Sequence, residues 1–225
     1  MKGLQRMALA LLAGGLVTAA AQAQDIRLYA FSSGPLTLGK GFLVNLAPLD
    51  PPVTVPVGFF VIRHPRGNVL FDTGNNDKLI TDPNYWPPAL LAFKPAMTPE
   101  VAIDFQLKKI GLTPDDITYV VVSHMHLDHG GNVGKFPKST LVVQRDEMSN
   151  AFWPKAGTGL PPGDLYHGRE NRTHRRVPVF NTERADTLAS MDRVERIVKN
   201  TKARFVVQHD PRDFQALPRF PAFLD

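Results

Sequence analysis

The stretch that most constrains what this chain can fold into runs from Tyr119 to Asn132. Tyr119 to Val122 are apolar and mostly β-branched, and His124, His126, Asp128 and His129 follow almost at once. The apolar run predicts a buried strand. Gly130-Gly131 then permits a sharp backbone turn. The four polar side chains therefore sit at the C-terminal end of a strand, on a short loop that can aim them inward. Imidazole and carboxylate suit a borderline ion such as zinc, and also iron or manganese. One short loop does not easily turn four such groups onto a single tetrahedral ion. Two adjacent ions are the more economical geometry, with His124 and His126 on one and Asp128 and His129 on the other.

The remaining elements are read in order. Asp25 to Phe31 predict a first strand, broken at Ser32-Ser33-Gly34-Pro35. Val55 to Arg63 and Val69 to Phe71 predict a hairpin at the edge of an antiparallel-rich sheet. Asp72-Thr73-Gly74 follow, where a carboxylate can accept from the metal-loop backbone or from a ligating histidine. His64 reads as a surface residue. Residues 75–97 are long, Pro-rich and aromatic. Trp86, Leu90, Leu91 and Phe93 form either an apolar wall for a ligand or a partly helical excursion packed on the sheet. Thr98-Pro99-Glu100 open a helix, with Val101, Phe105, Leu107 and Ile110 inward and Gly111 at its end. Thr113 to Asp116 start a second short helix. Thr140 to Val143 predict a strand and Arg145 to Phe152 a helix. Residues 182–200 predict the longest helix, with Leu188, Met191, Val194, Ile197 and Val198 on its apolar face. Phe205 to Val207 predict a strand that carries His209 at its end. The tail, 212–225, is expected on the sheet surface.

Composition narrows the chemistry. The chain has no cysteine, so thiolate ligands, disulfides and a cysteine nucleophile are absent. Lys2 and Arg6, an apolar run from Met7 to Val17 and Ala21-Gln22-Ala23 predict a cleaved secretory leader over 1–23. A single domain over 24–225 then remains, expected in the periplasm or secreted, with no stable membrane anchoring. Losing two cations lowers the formal charge from +5 to +3, too weak a balance to argue for nucleic acid.

His124-x-His126-x-Asp128-His129 resembles the signature of the metallo-β-lactamase superfamily of metal-dependent hydrolases. With Ser123 before it and Gly130-Gly131-Asn132 behind, the wording is most similar to the N-acyl homoserine lactonase family. The resemblance implies an α+β fold, the αββα sandwich. It implies two zinc ions held by His124, His126, Asp128, His129, Asp164 and His209, with Asp164 bridging. Asp72 would support the ligands. Asp128 and His167 are the catalytic candidates, Asp128 orienting water and His167 orienting substrate. The implied reaction is ring opening of a lactone by metal-bound hydroxide, hence degradation of a quorum signal. The expected partner is a small lactone or ester.

After Trp153 the pattern breaks. The family places further strands and a third histidine there; Pro154 to Pro162 offer a linker without histidine. The wording resumes at Gly163-Asp164-Leu165-Tyr166-His167, so the chain reads as internally deleted and the sandwich as incomplete. Pro162-Gly163-Asp164 also fits an upstream turn of the family, which leaves the bridging role of Asp164 open. His167 is the nearest replacement for the lost ligand. His174 and the neighbouring Arg172, Arg175 and Arg176 read as a solvated face. The loss predicts an open sheet edge, a better preserved second metal position at Asp128, His129 and His209, one ion or weak binding, and reduced turnover. Another ester, lactone or β-lactam, or a remnant with impaired metal binding, are the competing functions.

Overall fold

The computed structural model describes residues 25–153, 163–181 and 183–225. The expected leader at 1–23 and the linker at 154–162 lie outside them. Five strands form one mixed sheet in the order β1-β2-β3-β4-β5. They are β1 (Arg27–Gly39), β2 (Pro52–Arg63), β3 (Asn68–Phe71), β4 (Ile117–Val122) and β5 (Thr140–Val143). The first three are antiparallel neighbours, and β3, β4 and β5 run parallel. The β2–β3 hairpin therefore lies at the centre of the sheet and not at its edge.

β1 does not stop at Ser32 as its turn-forming residues suggested. It continues to Gly39 through a register shift between Ser32 and Pro35. Ser33 is fully buried there, and its Oγ accepts from Asn75 N at 2.9 Å. A contact with a loop 42 residues away outweighs the local preference for a turn.

Alternation makes the sheet two-faced. Phe59 and Val61 of β2, Leu70 of β3 and Val120 of β4 are buried against α2 (Ile103–Lys109). Ile103 and Leu107 are fully enclosed there, and each such side chain contributes about 1.5–3 kcal/mol relative to exposure. Phe105 points outward instead, with the Lys109 ammonium 5.0 Å from its ring centre.

A second cluster joins Leu36, Leu38, Val55 and Val57 to Leu43, Val44, Leu79 and Trp86. Leu43 ends the short α1 (Lys40–Leu43). Residues 75–97 form 3-10 turns at Asp77–Ile80 and Pro88–Phe93 and pack onto this cluster.

α3 (Arg145–Phe152) follows β5. Beyond the linker come α4 (Arg169–His174), α5 (Arg184–Thr201) and α6 (Pro211–Gln215). Met191 is the fully buried contact of α5, with Leu188 and Val194 beside it, whereas Ile197 is exposed. Phe205 to Val207 form no strand. No sheet neighbour exists for this run among the described residues, and Asp213 Oδ2 accepts from Val207 N at 2.8 Å in place of a ladder. The two-sheet sandwich is thus represented, among the described residues, by one mixed sheet flanked by helices. β5 is its open edge, with Val142 exposed. The tail returns to β1, where Leu28 and Leu224 exchange backbone hydrogen bonds and Phe223 packs on Tyr29.

Candidate metal centre

β4 ends at Val122, and the chain turns at once into the histidine loop. What holds the loop is Asp72, at the C-terminal end of the adjacent β3. Asp72 is fully buried with φ 59, a conformation that Asp and Asn tolerate better than other side chains. Its Oδ1 accepts from Ser123 N at 2.8 Å, and its Oδ2 from Ser123 Oγ at 3.0 Å. The same Oδ2 lies 2.9 Å from His129 Nδ1. Behind the loop, Asn132 Nδ2 donates to the carbonyls of Thr73 and Asn75 at 3.0 and 2.6 Å. Gly131 serves close packing here and not a left-handed turn. A Cβ on it would meet Asn76 N at 2.5 Å and Leu127 O at 2.6 Å.

Two groups of potential ligand atoms result, each gathered within 4.8 Å: His124, His129 and the half-buried Asp164, and the buried Asp128, His129 and His209. His129 belongs to both. Its Nε2 lies 3.6 Å from Asp128 Oδ2, 3.7 Å from Asp164 Oδ2 and 3.1 Å from His209 Nε2. Asp164 Oδ2 also faces His124 Nε2 at 3.7 Å and both His167 and His209 Nε2 at 3.3 Å. One carboxylate oxygen thus sits between four imidazoles, the place a bridging ligand requires. His126 falls in neither group. Its ring packs edge-on to His124 with centroids 4.5 Å apart. His167 stands on the His209 side of Asp164, stacked on His209, and not beside His124. Among the described residues no further histidine joins the His124 group. His174 is exposed, and Arg172 and Arg175 pair with Glu195 and Asp192 on α5.

Hydrogen bonding shows what the groups are built to hold. Pro56 O lies 2.8 Å from His209 Nδ1, and a carbonyl only accepts, so that nitrogen carries the proton. The Asp72 carboxylate fixes His129 in the same way. Both neutral rings then turn an Nε2 lone pair toward the other at 3.1 Å. A proton or a cation must lie between them. His124 Nε2 is buried without a hydrogen-bond partner among the described residues. Donors around tetrahedral zinc stand about 3.3 Å apart, given bonds of roughly 2.0 Å, which matches these spacings. The nitrogen and oxygen donors fit a borderline divalent cation.

Charge follows the same logic. Burial opposes a proton on His129, but the carboxylates of Asp128, Asp72 and Asp164 outweigh it and raise its pKa to about 10. Burial likewise opposes charge on His209, and Asp164 and Asp128 still push its pKa upward. Burial and the neighbouring His129 charge hold His124 well below its ordinary value. Asp164, despite burial that favours its neutral form, is held well below the usual carboxylate range by the imidazoles around it. In the metal-free cluster a proton on His129 and His209 balances part of the carboxylate charge.

A cavity of about 260 Å³ opens onto the cluster. His126, Asp128, Asp164, His167 and His209 form its polar end, and Trp86, Leu90, Phe93 and Phe180 lie in its apolar wall. Leu91 of the expected wall packs into the second core cluster. Residues 75–97 therefore pack on the sheet and also contribute Trp86, Leu90 and Phe93 to the cavity lining. Sequence reasoning missed Phe180, whose ring stands edge-on to both His126 and His167. It also missed the Pro56 carbonyl. An aromatic in an irregular stretch and a backbone oxygen leave no periodic signal.

A family model described as the metallo-beta-lactamase superfamily matches residues 54–199. The N-acyl homoserine lactonase AttM of Azorhizobium caulinodans is 26% identical over 261 residues, covering 89% of this chain and 99% of that protein. The aligned length exceeds the 225 residues present here, so the relative carries residues with no counterpart in this chain. The AttM of Agrobacterium fabrum is 38% identical over 131 residues, 58% of this chain and 50% of its own length. One solved structure is an N-acyl homoserine lactone hydrolase with the product N-hexanoyl-L-homoserine at its catalytic metal centre. It superposes with a TM-score of 0.76 at 22% identity, over 88% of this chain and 98% of that one, and shows the shared fold. With the strand-borne histidine loop, the buried Asp72 support and a family match over more than half its length, this chain belongs to the metallo-beta-lactamase superfamily.

Proposed function

We propose that this protein is a zinc-dependent hydrolase that opens the ring of N-acyl homoserine lactones and so removes a quorum signal. The observation that carries the reading is the cavity: one end is the His/Asp cluster, the wall is apolar, and among the described residues no Lys or Arg lines it. A neutral ester with an aliphatic arm meets that description. A β-lactam antibiotic brings a further carboxylate, for which the apolar wall offers no Lys or Arg among the described residues. The names of the matched relatives support the same substrate class.

His124, His129, Asp128, Asp164 and His209 would hold the metal. A divalent cation in such a site supplies Lewis acidity and lowers the pKa of water to about 7. The chain's own residues supply the order around it. Asp72 and Pro56 fix the tautomers of His129 and His209, so that both turn Nε2 to the centre. Asp128, at the polar end of the cavity, accepts a hydrogen bond from the attacking water and orients it toward the carbonyl. His167, across Asp164, faces the lactone and positions it. Leu90, Phe93 and Phe180 exclude water from the arm. Addition of water to the carbonyl carbon and cleavage of the ring C–O bond give a hydroxy acid, with one proton passing to the leaving alkoxide.

Zinc-reconstituted protein should convert N-hexanoyl homoserine lactone to the open acid above His126→Ala and His209→Ala controls, read by chromatography of the product. The missing third histidine places turnover below the ordinary range of roughly 1–1,000 per second. Product formation equal to both controls would overturn the lactonase reading and leave a remnant of the fold.

A further inference from the structure

We propose that Asp210 is a positioning residue: its buried carboxylate ties the segment carrying His167 to the segment carrying His209, and so sets where the lactone is held. The proposal rests on the lactonase reading for the role of His167 and adds the group that places it. The two rings stack with centroids 5.8 Å apart, and each turns Nε2 to Asp164 Oδ2 at 3.3 Å. His209 has a further anchor in the Pro56 carbonyl. On His167 the corresponding Nδ1 is buried without a hydrogen-bond partner among the described residues. Its ring touches Phe180 and Asp164, and its place then depends on the backbone that carries it.

That backbone is clamped from α6. Asp210 is 3% exposed and directly follows His209. Its Oδ2 accepts from Arg169 N at 2.9 Å, and its Oδ1 from Arg212 N at 3.0 Å. Asp213, one turn on, accepts from Arg169 Nε at 2.7 Å through Oδ1 and from Val207 N at 2.8 Å through Oδ2. Two carboxylates thus grip the first residue of α4 and the chain on either side of His209. α6 is itself seated on the sheet, where a Cβ on Gly58 of β2 would lie 2.7 Å from the Phe214 ring. The clamp runs from β2 through Phe214, Asp210 and Arg169 to His167. A hydrogen bond to an ionised carboxylate is among the stronger ones. Without it the imidazole drifts in a chain that stays folded, and a shift of about 1 Å is enough to spoil substrate alignment.

The test removes that one donor. Arg169 opens α4 after Gly168, a position where proline fits. Gly168, at φ −154 and ψ 166, already has the extended backbone that proline asks of its predecessor. Arg169→Pro loses the N–H and the side chain, whereas Arg169→Ala loses the side chain alone. On the zinc-loaded full chain, KM for N-hexanoyl homoserine lactone should be about three- to tenfold higher in Arg169→Pro than in Arg169→Ala. Zinc content should be equal in the two, because Pro56 still holds His209. The nuclear Overhauser contact between the His167 and His209 rings should persist in Arg169→Ala and weaken in Arg169→Pro. An equal ring contact in the two variants overturns the proposal. Loss of zinc in step with activity overturns it too, since Asp210 would then serve the fold alone. If Arg169→Pro does not fold, Asp210→Asn, with one acceptor oxygen in place of two, is set against Arg212→Ala, whose side chain is 60% exposed. The ring contact should weaken in the first and persist in the second, and equal contacts overturn the proposal. If the wild type hydrolyses no lactone, the lactonase reading fails while the ring contact still decides the role of Asp210.

Discussion

Nδ1 of His129 lies 2.9 Å from Oδ2 of Asp72, and both side chains are fully buried. The carboxylate therefore sets which ring nitrogen faces the His/Asp cluster. Asp72→Ala leaves a buried imidazole and Ser123 without their acceptor. It should cost about 3–5 kcal/mol of stability, as breaking one side of a buried pair does. Zinc affinity should fall about 10–100-fold, the usual effect of losing a ligand's supporting group. Asp72→Asn keeps a side chain that tolerates positive φ and should be milder in stability while still weakening metal. Thermal melts and competition with a chromophoric chelator measure the two effects.

Protons and cations compete for the cluster, which gives opposite pH slopes. His129 is raised from 6.5 to about 10 in the metal-free protein, and His209 shifts the same way. A raised pKa contributes stability that is complete below pH 6.5 and is lost as pH rises through about 10. The opposite shift of His124 costs stability only below pH 6.5. The melting temperature of chelator-treated protein should therefore fall from pH 6.5 toward 10. Metal needs neutral imidazoles, so zinc affinity should rise over the same window. Melting-temperature slopes of the same sign with and without zinc would contradict this.

The ligand groups are unequal. His209 belongs to the buried Asp128–His129–His209 group, and His126 belongs to neither. After dialysis against a weak chelator, His209→Ala should retain less metal per chain than His126→Ala. Plasma mass spectrometry of the two variants decides it.

Gly163 is pressed against the rings of His124 and His126. A Cβ there would lie 2.5 Å from His124 Cδ2 and 2.6 Å from His126 Cε1. Gly163→Ala must displace a ring rather than backbone, so it should lower metal content about tenfold or more. Its circular dichroism should stay that of the wild type.

β5 ends the sheet with Val142 exposed. A flat apolar edge templates pairing with other chains, and a lysine blunts it. Val142→Lys should raise the concentration at which the protein stays monomeric in light scattering, with metal content unchanged.

What was legible in the sequence is what short range decides. The apolar run into His124, the Asp72 turn and the bounds of α3 follow from local chemistry, and the structure shows each. Phe205 to Val207 have the composition of a strand, but a strand also needs a neighbour, and composition does not reveal whether one exists. Ser32 to Pro35 carry turn residues, yet the buried Ser33–Asn75 contact keeps the chain extended. The pairing of His124 with Asp164 and the approach of Phe180 to His126 join segments 40 or more residues apart. Alternation and spacing carry no information at that range.

The third hydrophobic cluster, Tyr166, Val177, Met191 and Val207, is separate from the two that cover the sheet. Asp164 and His209 bracket it in the chain, while His124, Asp128 and His129 ride on the sheet. The candidate ligands thus face one another across a seam between these packed regions, which side-chain hydrogen bonds such as Gln208 Nε2 to Gly58 O and His209 Nδ1 to Pro56 O cross. An ion seated there would act as a rivet: loading it and closing the molecule become a single event. Hydrogen exchange in residues 165–208 would then report occupancy of the centre, slowing on addition of zinc while β2 and β4 keep their rates.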